Sequence, residues 1–396
     1  MADKIRIGVL GASGYTGADL VRLALGHPNA EITVLTANSH AGKPMAAVFP
    51  HLGHVTLPDL VRVEDADWSN VDAVFCGLPH GTTQEITSKI LVEYPDIKVF
   101  DMSADFRLRN LDTYAEWYGH EHRAPSLQLE AVYGLTEHYR EGLKTARLVA
   151  CPGCYPTATL LGLLPIVAEG QIDPADIIID AKSGVSGAGR GLKENTLFSE
   201  AGEGLSPYSV ARHRHAPEIE QEIGVVAGRP VIVNFTPHLV PMSRGELVTC
   251  YVKLAGATAD DLRDTLARRY ADEPFIRVAK KGVVPATQQV RGSNYCVIGV
   301  FADRMPGRAI VVSTIDNLVK GSSGQAIQNM NVRYGLDAET AGLGQMPLFP
   351  SGAFARRSHA ICEGKGARSG APRCCGRHQR LPHYQRIPVF GTGKVN

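Results

Sequence analysis

Short, largely apolar runs alternate with helix-length segments in the first part of the chain. Ile5, Ile7, Val9 and Leu10 form the first run, and a glycine-rich loop follows it. A helical pattern then runs from 15 to about 26 and is stopped by Gly26-His27-Pro28. Further strand patterns fall at 31–36, 71–76, 98–103 and 147–150, and a helix runs from the loop Gly77-Leu78-Pro79-His80-Gly81 to about 94. Strands apolar on both faces and spaced by helices predict a parallel sheet covered on both sides. From about 176 the pattern changes. Strand-like runs at 176–181, 231–235, 246–252, 294–300 and 308–313 follow one another with only one clear helix, 259–270, among them. This predicts an α+β domain with a largely antiparallel sheet and helices on one side. A last helix, about 323–334, comes after Asn317.

Composition adds little to the first 350 residues and much to the rest. The chain has 396 residues, 44% hydrophobic and 20% charged, which is ordinary for a soluble protein with two cores. No run approaches the roughly 18 apolar residues of a membrane span. The N-terminus leads directly into the first strand, without the tripartite pattern of a secretory signal. Eight cysteines are too sparse for a disulfide framework, so a reduced, cytoplasmic setting is expected. Cys76, Cys250 and Cys296 sit in strand-like runs and are expected in the core. The overall charge of +1 conceals a division. Residues 351–396 hold nine Lys and Arg against the single acid Glu363, a net of +8, leaving −7 for residues 1–350. This basic tail, rich in Gly and Pro, is expected to be disordered. Its Cys374, Cys375 and His378 match no standard zinc spacing, and it has few aromatic residues to interleave with bases. Neither a metal, a nucleic acid nor a membrane is expected as a partner.

Candidate chemistry begins at the first loop. Gly11-Ala12-Ser13-Gly14-Tyr15-Thr16-Gly17 is a G-x-x-G-x-x-G variant of the dinucleotide fingerprint, placed between a buried strand and a helix. Glycines let the backbone approach a pyrophosphate, and the helix start aims free N–H groups at its charge. The pattern predicts a Rossmann-type α/β domain, the alternative being a purely structural turn. The second strand exits as Leu35-Thr36-Ala37-Asn38-Ser39-His40-Ala41-Gly42-Lys43, with no acid between Glu31 and Asp59. An NAD site would hold the ribose with such an acid, so NADP is expected, with Ser39 and Lys43 beside its 2′-phosphate. The other reading of Ser39 and Lys43 is a solvated loop.

Two further clusters carry reactive groups. Cys151-Pro152-Gly153-Cys154-Tyr155-Pro156-Thr157 lies between a strand and a long apolar helix. A thiol at a helix start is expected to have a lowered pKa and to act as a nucleophile, although a buried structural Cys154 would fit the same segment. No second Cys-x-x-Cys pairs with Cys151 and Cys154, so metal and disulfide chemistry are set aside. Tyr208-Ser209-Val210-Ala211-Arg212-His213-Arg214-His215-Ala216-Pro217-Glu218 is the densest ionisable cluster before the tail. His215 precedes a helix starting at Pro217, and Glu218 is placed to orient its imidazole or to bond the helix start. The cluster reads equally as a proton shuttle or as a basic surface loop.

Taken together, the glycine loop, Pro152-Gly153-Cys154-Tyr155-Pro156-Thr157, Ser183-Gly184-Val185-Ser186-Gly187-Ala188-Gly189-Arg190, His213-Arg214-His215-Ala216-Pro217-Glu218-Ile219 and the segment from Asn317 to Ala326 resemble the N-acetyl-gamma-glutamyl-phosphate reductase family. The resemblance covers 4 to 350, and Cys151 stands where asparagine is more usual. It implies an architecture like glyceraldehyde-phosphate dehydrogenase. An NADP-binding domain, 1–153, would be rejoined by the C-terminal segment 318–350. A catalytic and oligomerisation domain, 154–317, would lie between them, and 351–396 would fall outside the family. It further implies NADPH-dependent reduction of N-acetyl-glutamyl 5-phosphate through a thioester on Cys154, in a homodimer or homotetramer of the arginine pathway. His215 would be the acid–base group. Gly11, Ser13, Gly14, Tyr15, Thr16, Gly17, Ser39, Pro79, Ser186, Gly187, Asn317 and Gly324 would bind the cofactor. Arg107, Tyr208, Arg212 and His213 would face the substrate, with Arg212 or Arg190 near the departing phosphate. Aspartate-semialdehyde dehydrogenase is the nearest other family, and a non-catalytic NADP-binding regulator the nearest reading of another kind.

Overall fold

Largely apolar runs, buried on both faces in β1, β4, β5 and β7 and only in part in β2, make the first sheet. The computed structural model describes residues 4–336 and 340–347. The tail, with the expected family end near Pro350, lies outside them. Strands β1 (Ile5–Leu10), β2 (Ala30–Thr36), β3 (Leu60–Val61), β4 (Ala73–Cys76), β5 (Lys98–Asp101), β6 (Val132–Tyr133) and β7 (Leu148–Ala150) pair in the order β3-β2-β1-β4-β5-β7-β6. Every neighbouring pair is parallel. Helices Tyr15–Ala24 and Thr83–Glu93 make the β1–β2 and β4–β5 crossovers. The order reverses between β1 and β4, and loops Gly11–Gly17 and Gly77–Gly81 leave the ends of those two strands. That is the switch point where open α/β sheets take their ligands.

The second sheet departs from the expected pattern. Its strands are β8 (Ile172–Gly184), β9 (Ser206–Pro207), β10 (Asn234–Val240), β11 (Glu246–Leu254), β12 (Ile276–Val278), β13 (Cys296–Ala302) and β14 (Arg308–Ile315), ordered β12-β13-β14-β11-β8-β10-β9. The sheet is mixed rather than largely antiparallel. The β8–β10 and β12–β13 pairs are parallel, and the others run antiparallel. The cause is the helix Ala216–Ala227, which carries the chain back from β8 so that β10 enters in the same direction. The sequence marks the start of this helix at Pro217 but not the strand direction it imposes.

One helix forms the centre of this second domain. Cys154–Ala168 is apolar all round and buried from Tyr155 to Val167, as expected of a helix enclosed on every side. It packs on β8, β11 and β14 and on the helices Ala216–Ala227 and Ala259–Arg269. Alternate residues of β11, Val248, Cys250 and Val252, enter that core. Tyr251, Ile178 and Ile310 pair across the opposite face, half-buried or exposed.

The chain then returns to the first sheet. The turn Val319–Ser323 is a single π-helical turn, continued by the helix Gly324–Arg333. Gln325 Nε2 and Asn329 Nδ2 both donate to Gly134 O at 2.9 Å. Lys320 Nζ, fully buried, pairs with Glu137 Oε1 at 2.6 Å. These bonds seat the returning helix against the first domain.

Candidate active site

The cofactor loop is shaped by close backbone contacts. Gly11 has φ 78°, and a Cβ on it would lie 2.7 Å from Gly77 O. A Cβ on Gly17 would overlap Gly11 O and lie 2.8 Å from Ala12 Cα. Thr36 at the end of β2 holds the loop from the side: its Oγ1 accepts from Gly11 N at 3.3 Å and its carbonyl from Ala12 N at 2.9 Å. The helix Tyr15–Ala24 starts at Gly14 with no side-chain cap and no acid in its first turn. Its free N–H groups therefore suit a pyrophosphate, so a dinucleotide fits this cradle. Ser13 O accepts from Arg190 Nη1 at 3.0 Å, and the Arg190 guanidinium stacks over Phe49 at 4.8 Å. Ser39 is exposed at the end of β2, bonded to His40 Nδ1 at 2.9 Å. Nearby, Arg62 pairs with Glu64 at 2.6 Å. Pro79 is exposed in the loop after β4.

The far wall of this cleft comes from the second domain. Asn317 Nδ2 donates to Ser186 Oγ at 3.0 Å, and its Oδ1 accepts from Gly245 N at 2.9 Å. Gly187 lies against the Asn317 amide. Ser186, Gly187 and Asn317 thus come together, whereas Gly324 is buried against Asn294 and Val319. Asp19 fastens the two walls: its carboxylate accepts from Arg22 at 2.8 Å, Arg244 at 2.5 Å and Ser323 Oγ at 3.0 Å. A cavity of about 910 Å³ opens between Tyr15, Arg22, Phe49, Ser186, Arg190 and Phe198.

Cys154 is the first residue of its helix, after Gly153. The loop carrying it is held by Glu218, whose Oε1 accepts from Gly153 N at 2.9 Å and from Tyr133 OH at 2.8 Å. Glu218 Oε2 pairs with Arg107 at 3.3 Å. Sequence places Glu218 to serve the imidazole or its own helix start; it fixes the loop before Cys154 instead. Arg107 spends its remaining donors on Cys151 O at 2.8 Å and Met102 O at 3.0 Å. It is buried behind the loop rather than open to the pocket.

His215 packs directly on this loop. A Cβ on Gly153 would collide with its Nε2 and lie 2.7 Å from its Cε1, so only glycine admits the ring here. From the other side, a Cβ on Gly321 would lie 2.7 Å from the Cys154 Cβ. The π-helical turn that carries Gly321 thus closes on Cys154, in keeping with the frequent use of such turns at functional sites. His213 stacks edge-on to His215 at 4.7 Å, Tyr208 at 5.3 Å and Tyr155 at 5.6 Å. Tyr208 OH donates to Tyr155 OH at 3.3 Å. The loop bearing these groups is strained, with φ 46° at Ser209 and 57° at Ala211. Arg212 is exposed. Arg214 stacks over Tyr118 at 5.0 Å, and its charge is felt at His213 and His80.

Electrostatics here contradict one expectation. Cys154 is half-buried, and its thiol lies well above its ordinary range. Burial is the main cause and the neighbouring Glu246 the second; the Tyr155 N–H at the helix start pulls the expected way but is outweighed. Burial, aided by His213, Arg107 and His80, holds His215 well below its usual value, so the imidazole is neutral. Its Nδ1 is buried with no hydrogen-bond partner among the described residues. His213 is lowered to about 4 by burial and Arg214. Cys151, the other cysteine of the motif, is fully buried and pushed up to about 12, mainly by burial, which makes it inert. Cys76, Cys250 and Cys296 are buried core residues, as expected.

Sequence reasoning missed Glu246, Asp19, Arg244, Tyr155 and Arg214. A signal existed for the first. Glu246 falls in phase with Val248 and Cys250, so the period-two pattern of β11 puts a carboxyl on the core face.

Comparison with known proteins agrees with this geometry. Residues 6–146 match the family "Semialdehyde dehydrogenase, NAD binding domain" and 154–317 match "Semialdehyde dehydrogenase, dimerisation domain". The chain is 56% identical over 353 residues to an N-acetyl-gamma-glutamyl-phosphate reductase of Rhodospirillum rubrum, covering 88% of this chain and 100% of that one. It is 58% identical over 347 residues to a "Probable N-acetyl-gamma-glutamyl-phosphate reductase, chloroplastic" of Arabidopsis thaliana, covering 87% and 86%. In fold it is similar to aspartate semialdehyde dehydrogenase II from Vibrio cholerae (TM-score 0.63, 16% identity, covering 85% and 100%). It is also similar to the aspartate semialdehyde dehydrogenase solved with NADP from Candida albicans (TM-score 0.61, 17% identity, covering 83% and 98%). No helix among the described residues is long and apolar enough to cross a membrane. A dinucleotide cradle, a cysteine at a helix start with a histidine against its loop, and relatives this near identify the chain as a member of the N-acetyl-gamma-glutamyl-phosphate reductase family.

Proposed function

We propose that this chain reduces N-acetyl-L-glutamyl 5-phosphate to N-acetyl-L-glutamate 5-semialdehyde with release of phosphate, using NADPH, as a step of arginine biosynthesis. The observation that carries the reading is Cys154, half-buried at the start of its helix with His215 packed on the adjoining Gly153, in a chain of this family. Cys154 Sγ attacks the acyl carbon, the carbon–oxygen bond to phosphate breaks, and a thioester remains on the cysteine. Bound NADPH supplies the hydride that takes the acyl carbon to the aldehyde level. Neutral His215 donates a hydrogen bond to the carbonyl oxygen and stabilises its developing charge. Tyr208, His213, Arg212 and Arg214 border the substrate, and Arg107 acts from behind by fixing the loop. The loop Gly11–Gly17, with Ser39, Pro79, Ser186, Gly187 and Asn317, holds the cofactor. A preference for NADP follows from Ser39, His40 and Lys43 at the end of β2, where no acid competes for the ribose. The apolar face bearing Tyr251, Ile178 and Ile310 supports assembly into a homo-oligomer.

The test is NADP⁺ reduction with N-acetyl-glutamate 5-semialdehyde, with and without inorganic phosphate and with and without prior thiol alkylation. Phosphate-dependent NADPH formation that alkylation abolishes is expected. Turnover only with aspartate semialdehyde would move the substrate assignment; none with either aldehyde would end it.

A further inference from the structure

We propose that the buried pair Lys320–Glu137 is a positioning device for the nucleophile: it holds the π-helical turn so that Gly321 rests on Cys154. The proposal rests on the reductase reading above and adds two residues that neither the nucleophile motif nor the His-Arg-His loop contains.

Cys154 is confined between two stretches of backbone. On one side is its own loop, with Gly153 N bonded to Glu218 Oε1 at 2.9 Å. On the other is the turn Val319–Ser323, where a Cβ on Gly321 would lie 2.7 Å from the Cys154 Cβ and 3.2 Å from its Cα. At contacts this close, drift of the turn presses on the nucleophile or leaves it loose.

Both stretches are tied to one short part of the first domain, residues 132–137. On the loop side, Tyr133 OH donates to Glu218 Oε1 at 2.8 Å, and Gly134 N donates to Ala150 O at 2.8 Å at the end of β7. On the turn side, Glu137 opens the helix Thr136–Leu143, and its Oε1 accepts from Lys320 Nζ at 2.6 Å. One element thus sets both walls around Cys154.

Lys320 immediately precedes Gly321, so the anchor lies one peptide from the contact it controls. Its Nζ also donates to Gln328 Oε1 at 2.7 Å and lies over the Phe275 ring at 5.9 Å. The two ends of the turn are held separately. Asp316 Oδ1 accepts from Leu318 N at 2.9 Å and Val319 N at 3.2 Å, and Ser323 Oγ donates to Asp19 Oδ2 at 3.0 Å. Between these ends, Lys320 is the side-chain tether among the described residues.

Stability does not account for a charged pair at this place. Neither side chain has any exposed surface. Removing two charges from water offsets most of their attraction, and a well-packed apolar pair often serves stability as well or better. What the ion pair adds is one fixed geometry. A π-helical turn has an α-helical alternative one residue shorter, and a tether at Lys320 opposes that change of register. Although burial raises its proton affinity, the charge and bond of Lys320 hold Glu137 below its ordinary value, so the carboxylate is ionised.

The test compares the wild type with Lys320→Met, the double variant Lys320→Met/Glu137→Gln, and Glu137→Asp. Acylation of Cys154 by N-acetyl-glutamate 5-semialdehyde and NADP⁺ is followed by rapid quench. Urea unfolding, NADPH titration and hydrogen exchange of the peptide 316–324 are measured beside it. Lys320→Met leaves a bare buried carboxylate and should unfold at lower urea. The double variant leaves no unpaired charge and should regain that stability, yet acylate about 10²-fold more slowly than wild type. Its NADPH affinity should hold, and exchange in 316–324 should quicken while that in the helix Thr83–Glu93 does not. Glu137→Asp keeps both charges but draws the anchor back by one methylene, and should acylate about tenfold more slowly. A double variant that recovers stability and acylation together would overturn the proposal, because the pair would then be structural only. So would a Glu137→Asp enzyme with wild-type acylation and exchange, and that variant decides the matter if the double one does not fold. Should the wild type not acylate, the reductase reading fails by itself. Hydrogen exchange and the rate of iodoacetamide alkylation of Cys154 then decide whether the pair holds the turn: both should rise in the variants, and unchanged values would overturn it.

Discussion

The cofactor loop and the nucleophile pocket are both strand-to-helix junctions, yet they treat polar groups in opposite ways. At Gly11–Gly17 the backbone is tied to Thr36, and the glycines leave room for a ligand's charge at a bare helix start. Around Cys154 the fold buries His215 Nδ1 without a hydrogen-bond partner among the described residues, and buries the Glu246 carboxyl with no basic side chain paired to it among them. The first junction binds through backbone, so its side chains matter little beyond their absence. The second gathers reactive side chains and keeps them in costly surroundings that shift their proton affinities.

The largest effect should separate two cysteines three residues apart. Cys154→Ser should lower turnover by at least about 10³-fold, because the covalent route is lost. Cys151→Ser should leave it nearly unchanged, since that thiol is buried and inert. Equal losses in steady-state assays would break the contrast. Next comes Gly153→Ala, whose methyl group must displace the His215 ring; a misplacement of this kind costs on the order of 10²-fold in kcat. NADPH affinity, measured by fluorescence titration, should hold.

Asp19 sharpens the comparison from the cofactor side. Although burial raises it, the bonds from Arg22 and Arg244 prevail and hold its pKa below the ordinary 3.8. Its contribution to stability is therefore full above that value and is lost as pH falls through the lower folded one. Asp19→Asn should cost about 3 kcal/mol at neutral pH by denaturant unfolding. It should also flatten the decline in stability on acidification. The smallest effect is expected at Ser39→Asp. An acid there would repel a 2′-phosphate and should shift the NADPH/NADH preference by about tenfold, roughly 1.4 kcal/mol.

Much of this was legible in the chain. The four longer strands at the centre of the first sheet, β1, β2, β4 and β5, are largely apolar runs, and their pattern located them. The two-residue strands β3 and β6 are set by their neighbours and carry no period of their own. Strand direction in the second sheet depends on where the helix Ala216–Ala227 leads the chain, a tertiary fact that alternation in β10 and β11 does not encode. Cys154 and His215 were marked by their motifs, but the state of the thiol was not. The helix start visible in the sequence favours the thiolate, whereas burial and a carboxyl 92 positions downstream favour the thiol. Glu218 was visible too, yet its partner proved to be Gly153 N across the fold rather than the adjacent imidazole.

The central claim is covalent chemistry at Cys154, and trapping the adduct tests it most directly. The protein would be mixed with N-acetyl-glutamate 5-semialdehyde and NADP⁺ without phosphate, quenched in acid, digested, and its peptides weighed by mass spectrometry. The account predicts one equivalent of NADPH and an N-acetyl-glutamyl mass on the peptide containing Cys154, discharged when phosphate is added. NADPH formation with no adduct, or an adduct on any other residue, would contradict it.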